Sequence, residues 1–223
     1  MNFTDSLHVI LARQSILIVS LLQYGLIFYL LSPSEFFIFG VLTIVSLYCR
    51  NAFDAILQPS AINYSHDHTQ SKFYRIHYII VFAIAGVLSV DDLTLLVLSI
   101  SVGFLQLYCN NYFTHFFVNA YISGKYYKLA LCQSGADLLS TSAGFLLFFL
   151  TGDVYYLGVR FLMYPIILLI FCVIYLDGTS YATTNISQSK KSIMFLNIQH
   201  FVGFLGKSGD RLLIVSLMDP IVF

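Results

Sequence analysis

The feature that most constrains this chain is a succession of long uncharged apolar runs, each near the length a helix needs to cross a bilayer. A hydrocarbon core of about 30 Å takes roughly 20 residues at a helical rise of about 1.5 Å each. Around those runs the whole chain carries 11 Lys and Arg and 11 Asp and Glu in 223 residues, 10% charged against 58% hydrophobic, with a mean hydropathy of +0.82. A soluble domain is about a quarter charged, so these groups are too few to coat a water-facing surface. Membrane barrels show alternating segments of about 10 residues, which these continuous runs are not. Inside lipid every backbone amide needs an internal partner, and a helix supplies it alone. The sequence therefore predicts an all-α polytopic membrane helix bundle.

Turn residues divide the runs into six spans and the start of a seventh. The first covers about residues 8–31 and stops at Ser32-Pro33-Ser34-Glu35, where Ser32 is the expected cap and Pro33 the helix-initiating residue of the next. The second runs over about 35–62, and the third, shorter, over about 73–90. The tight turn Asp91-Asp92 follows, with Asp91 as the expected cap of a fourth span over about 93–122. Ser123-Gly124-Lys125 separates this from a fifth span, about 126–150, and Thr151-Gly152-Asp153 from a sixth, about 154–176. After the polar stretch 177–191 a seventh apolar helix begins near Ser192. The first apolar run is longer than a signal peptide's and lacks a small-residue cleavage site, so it is expected to be retained.

The connections alternate in charge. The first, third and fifth hold only acids (Glu35; Asp91 and Asp92; Asp153), and the second, fourth and sixth hold bases (Lys72 and Arg75; Lys125 and Lys128; Lys190 and Lys191). The positive-inside bias then puts the N-terminus and the basic connections in the cytoplasm, the side on which the sequons at Asn2, Asn63 and Asn185 would be chance occurrences. Zero net charge gives no electrostatic case for nucleic acid. Cys49, Cys109, Cys132 and Cys172 are far apart in apolar stretches, which reads as packing rather than metal or redox chemistry. No nucleophile-elbow, zinc-protease or phosphate-loop pattern occurs, so neither an enzyme nor a bound cofactor is expected.

An ionisable group at lipid depth is costly and usually faces a cavity or a partner. Arg50 and Asp54 are spaced i,i+4 in the second span, as either a self-neutralising pair or a cation presented to an aqueous cavity. Asn111, His115 and Asn119 form a polar stripe on the fourth span, with Gln106 and Asn110 nearby. Interhelical hydrogen bonding is the plain reading of that stripe. Asp137 and Arg160 are single charges that could pair across helices. Arg13 is close enough to an end to snorkel, and Lys207, Asp210 and Arg211 make a charged patch in the last helix.

Three stretches resemble a known family: Leu30-Leu31-Ser32-Pro33-Ser34-Glu35-Phe36 followed by Gly40, the basic joint Asn119 to Ala130, and Gly209-Asp210-Arg211-Leu212-Leu213-Ile214. Their order, spacing and sidedness resemble O-antigen and exopolysaccharide repeat-unit flippases of the multidrug/oligosaccharidyl-lipid/polysaccharide superfamily. Phe37 departs from the glycine usual in the first joint. The resemblance implies roughly 12 to 14 helices in two six-helix lobes, of which residues 1–191 would form the first and 192–223 would begin the second. On that expectation the chain is either a fragment or a half-size protein that self-associates.

It further implies a bacterial inner-membrane exporter of undecaprenyl-pyrophosphate-linked oligosaccharide, working by alternating access, with a glycan polymerase and assembly proteins as neighbours. Cavity cations would hold the pyrophosphate: Arg50 first, then Arg13, Arg160 and Arg211, with Lys207 a weaker candidate and with Asp54 and Asp137 as the carboxylates open to ion coupling. The rival readings are a drug or metabolite exporter of the same superfamily, a non-transporting scaffold or remnant, and, less favoured without a catalytic set, a membrane-embedded polymerase or acyltransferase.

Overall fold

The computed structural model describes residues 14, 18, 25–27, 29–56, 69–122, 125–176 and 202, all of them helical or in short turns. Five helices are described along their length: α1 (Pro33–Ile56), α2 (Thr69–Leu88), α3 (Leu93–Ile122), α4 (Tyr126–Thr151) and α5 (Tyr155–Tyr175). They match the second to sixth predicted spans. The residues described before Leu31 are helical, as predicted for the first span; Arg13, the seventh helix apart from a helical Val202, and the patch of Lys207, Asp210 and Arg211 lie outside the described residues.

Four of the helices are long and apolar enough to cross a membrane, over Pro33–Arg50, Leu93–Asn110, Tyr127–Thr151 and Tyr155–Tyr175. The apolar part of α2, Arg75–Leu88, is shorter than such a span. No strand occurs among the described residues. The chain has the helical architecture of a membrane protein.

Local chemistry sets the ends. At Ser32 a reciprocal capping box forms: the Glu35 amide donates to Ser32 Oγ at 3.4 Å, and the Ser32 amide donates to Glu35 Oε2 at 2.9 Å. The predicted cap of α3 is corrected from Asp91 to Asp92, whose Oδ1 accepts from the Leu95 amide at 2.9 Å. The capping residue sits immediately before the first helical one and bonds an amide two or three residues on, and with α3 beginning at Leu93 that residue is Asp92. The α4–α5 turn closes on Gly152, in the left-handed region at φ 72°, whose amide donates to the Phe148 carbonyl at 2.7 Å. Asp153 Oδ1 then accepts from the Tyr155 amide at 2.9 Å.

The Tyr155 hydroxyl donates to Asp92 Oδ2, tying the α2–α3 turn to the start of α5. Leu42 of α1 and Leu98 of α3 both lie against Gly158 near the start of α5, so these three helices run side by side in the same direction. All three acid-only connections therefore lie at one end of the bundle, as the charge alternation requires.

Two apolar cores are stacked along the bundle. The first joins α1, α2, α3 and α5 around Leu42, Val45, Val81, Leu107 and Leu157. The second joins α3, α4 and α5 around Phe113, Leu129, Ala136 and Leu168. Close approach relies on small residues, as it does wherever helices pack in lipid without a hydrophobic driving force. A Cβ on Gly158 would meet Leu98 at 2.7 Å and Leu42 at 2.8 Å, and one on Gly144 would meet Arg160 Cβ at 2.9 Å. Cys49, Cys109, Cys132 and Cys172 are buried in these cores and unbridged.

Candidate functional site

Where the two cores meet, polar side chains from all five helices converge. On one side Tyr48 of α1 meets His77 of α2; on the other Arg50 of α1 meets Asp137 of α4 and Tyr164 of α5; Gln106 and Asn110 of α3 bond to α1, and Ser140 and Thr141 are buried on α4 within about a turn of Asp137. On α3 the spacing i,i+4 puts Gln106 and Asn110 on one inward face. Arg50 lies about 25 Å along α1 from its first residue at about 1.5 Å per residue, so the layer sits in the half of the bundle away from the acid-only turns.

Hydrogen bonds across helices hold the layer. Gln106 Nε2 donates to Ser46 Oγ at 2.8 Å and to the Phe161 carbonyl at 3.3 Å. Asn110 Nδ2 donates to the Cys49 carbonyl at 3.1 Å. The Tyr48 hydroxyl and His77 Nδ1 are 2.5 Å apart, and His77 is fully buried. Buried polar groups at lipid depth need such partners, because no water reaches them there.

The charged centre is Arg50. Its Nη2 reaches Asp137 Oδ1 at 3.5 Å, and its guanidinium lies 4.1 Å from the centroid of the Tyr164 ring, a cation–π geometry. The two partners differ in access: the Arg50 side chain is 38% exposed and the Asp137 side chain 8%. A sealed carboxylate and an aromatic face thus hold a guanidinium that keeps an open side. Such a group can bind the oxygens of an anion two at a time. Asp137, neutralised by Arg50, is poorly suited to attract a cation.

Of the sequence-predicted site residues, the bundle brings Arg50 and Asp137 together, though they are 87 positions apart. Arg160 lies one turn before Tyr164 on α5, its guanidinium 4.7 Å from the Phe161 ring and 5.9 Å from the Phe39 ring, closer to the acid-only end. Asp54 is in the last turn of α1, with its side chain outside the described residues, as are the side chains of Asn111, His115 and Asn119; Arg13 and Arg211 lie wholly outside them.

Sequence reasoning passed over Tyr48, His77 and Pro165. A lone histidine or proline in an apolar run carries a local signal, but its partner comes from another helix. Comparison with known proteins adds nothing further: no family model, no curated protein and no solved structure matches this chain.

Proposed function

We propose that this chain is a lobe of a membrane exporter that moves an anionic, lipid-linked oligosaccharide, of the undecaprenyl-pyrophosphate class, across the bacterial inner membrane. The observation that carries the reading is the Arg50 guanidinium, braced by Asp137 and Tyr164 at membrane depth yet 38% exposed. Neither the sugars nor the pyrophosphate of such a lipid can cross a hydrocarbon core unaided, and an arginine fork matches the pyrophosphate oxygens. The same bracing disfavours a cationic drug as cargo, since the buried carboxylate is already engaged. The resemblance at Ser32–Glu35 and at the basic joint after Asn119 supports the same class.

In this reading the protein crosses the membrane six times within residues 1–191, with α2 as the third span and its basic first turns snorkelling into the headgroups. The N-terminus and basic connections face the cytoplasm, and Arg50 receives the headgroup from that side. Alternating access needs a second lobe opposite this one, from self-association or from further chain. Arg160 is the next cation along α5 toward the opposite face.

The test is ligand binding by the chain in lipid nanodiscs. Undecaprenyl-pyrophosphate oligosaccharide is expected to bind and the uncharged undecaprenol not to. Arg50→Ala should weaken binding at least about tenfold, roughly 1.4 kcal/mol, with Arg50→Lys intermediate. Equal affinity for the charged and uncharged lipids, or unchanged affinity in Arg50→Ala, would overturn the assignment. Pyrophosphate binding without surface glycan from a flippase-deficient strain, even when the chain is free to self-associate, would favour the non-transporting scaffold instead.

A further inference from the structure

Proline in the middle of α5 has a consequence on the neighbouring helix. Pro165 lacks an amide proton, and its ring crowds the carbonyl four residues earlier. That carbonyl belongs to Phe161, and it is the one that accepts from Gln106 Nε2 at 3.3 Å. Within a bilayer such a released carbonyl must find another donor, and a side chain on an adjacent helix is a recognised means. Gln106 is 2% exposed, and its other amide hydrogen bond goes to Ser46 on α1, so one side chain clasps α1 to α5 through α3. Its Oε1 is buried without a hydrogen-bond partner among the described residues. The clasp is thus incompletely satisfied in this arrangement. Tyr164, the residue before Pro165, is the ring under Arg50.

We infer that Gln106 is a positioning residue: by holding the carbonyl that Pro165 frees, it sets the arrangement of α5 in which Tyr164 braces Arg50, and its release lets α5 bend and withdraw that brace. This rests on the anion-binding reading of Arg50 for its functional half only. The clasp itself is a property of α3 and α5.

Hydrogen–deuterium exchange of the chain in nanodiscs, with pyrophosphate-lipid binding measured on the same samples, tests the two halves separately. Gln106→Met should raise exchange several-fold in α5 peptides covering residues 161–169. The same substitution in a Pro165→Ala background should change it less than about twofold, because alanine restores the intrahelical bond to Phe161. Binding should fall several-fold in Gln106→Met and recover in the double variant. Gln106→Asn, which keeps the amide but shortens its reach, should behave like Gln106→Met and serves if the methionine variant does not fold.

Equal increases in exchange in both backgrounds would overturn the clasp. Exchange that follows Pro165 while binding stays constant would overturn the positioning role. If the unsubstituted chain binds no pyrophosphate lipid, the functional reading of Arg50 fails and the positioning role with it, and exchange alone decides the clasp.

Discussion

At the residue scale the account turns on which charge meets which. Local spacing offers Asp54, one turn away on the same helix, as a partner of Arg50; the Asp54 side chain lies outside the described residues, and the described contact is with Asp137 on α4. Periodicity reports which face of a helix a residue occupies. It cannot report which distant helix will be packed there, so Arg50 and Asp137 are each legible as charges at lipid depth and their union is not. Because Asp137 is sealed and Arg50 is partly open, the two substitutions should differ. Asp137→Ala removes one described partner of a partly exposed cation and is expected to destabilise the bundle by about 1–3 kcal/mol, less than a fully buried pair would give up. Arg50→Met with Asp137→Leu should recover most of that loss, while binding stays as weak as in Arg50→Ala. Denaturant titration in detergent measures both. A double variant no more stable than Asp137→Ala would contradict the pairing.

At the scale of elements, most of the fold is legible. Both ends of α3 and the end of α4 fall within a residue of the turn signals at Asp91-Asp92, Ser123-Gly124 and Gly152; at two of them an Asx cap and a left-handed glycine act through neighbours in sequence. The third span is less well read: α2 starts at Thr69, four residues before the expected Phe73, since a helix can carry Lys72 and Arg75 in its first turns where apolar counting stops. Packing is the illegible part. Gly144 and Gly158 look alike in sequence, yet a Cβ at 144 meets Arg160 Cβ at 2.9 Å and the Leu157 carbonyl at 3.4 Å, while one at 158 meets only the side chains of Leu98 and Leu42. Leucine methyls can turn aside, and atoms at or near the backbone cannot. Gly144→Ala should therefore part α4 from α5 and lower the thermal midpoint by an amount equivalent to about 1–3 kcal/mol, and Gly158→Ala by less. The reverse order would mean that the α4–α5 contact is looser than described.

For the molecule as a whole, charge sorts the ends. Acid-only connections gather at the end where Tyr155 meets Asp92, and Arg75, Lys125 and Lys128 lie toward the other. The proposed topology puts the acidic end outside, so cysteines placed at Asp91 or Asp153 should react with a membrane-impermeant maleimide in intact cells and one at Gly124 should not. The opposite labelling would invert the protein in the membrane.

The deeper question is what medium the open side of Arg50 meets. Many side chains of this bundle are exposed, Leu138 at 51% among them, and in a membrane an exposed group faces either acyl chains or water. Charge at lipid depth argues for water at residue 50 and apolarity argues for lipid at residue 138. Reaction of Arg50→Cys and Leu138→Cys with a small charged thiosulfonate, in membranes, decides it. The account predicts fast modification at 50 and little at 138. An Arg50→Cys thiol as unreactive as the one at 138 would contradict it.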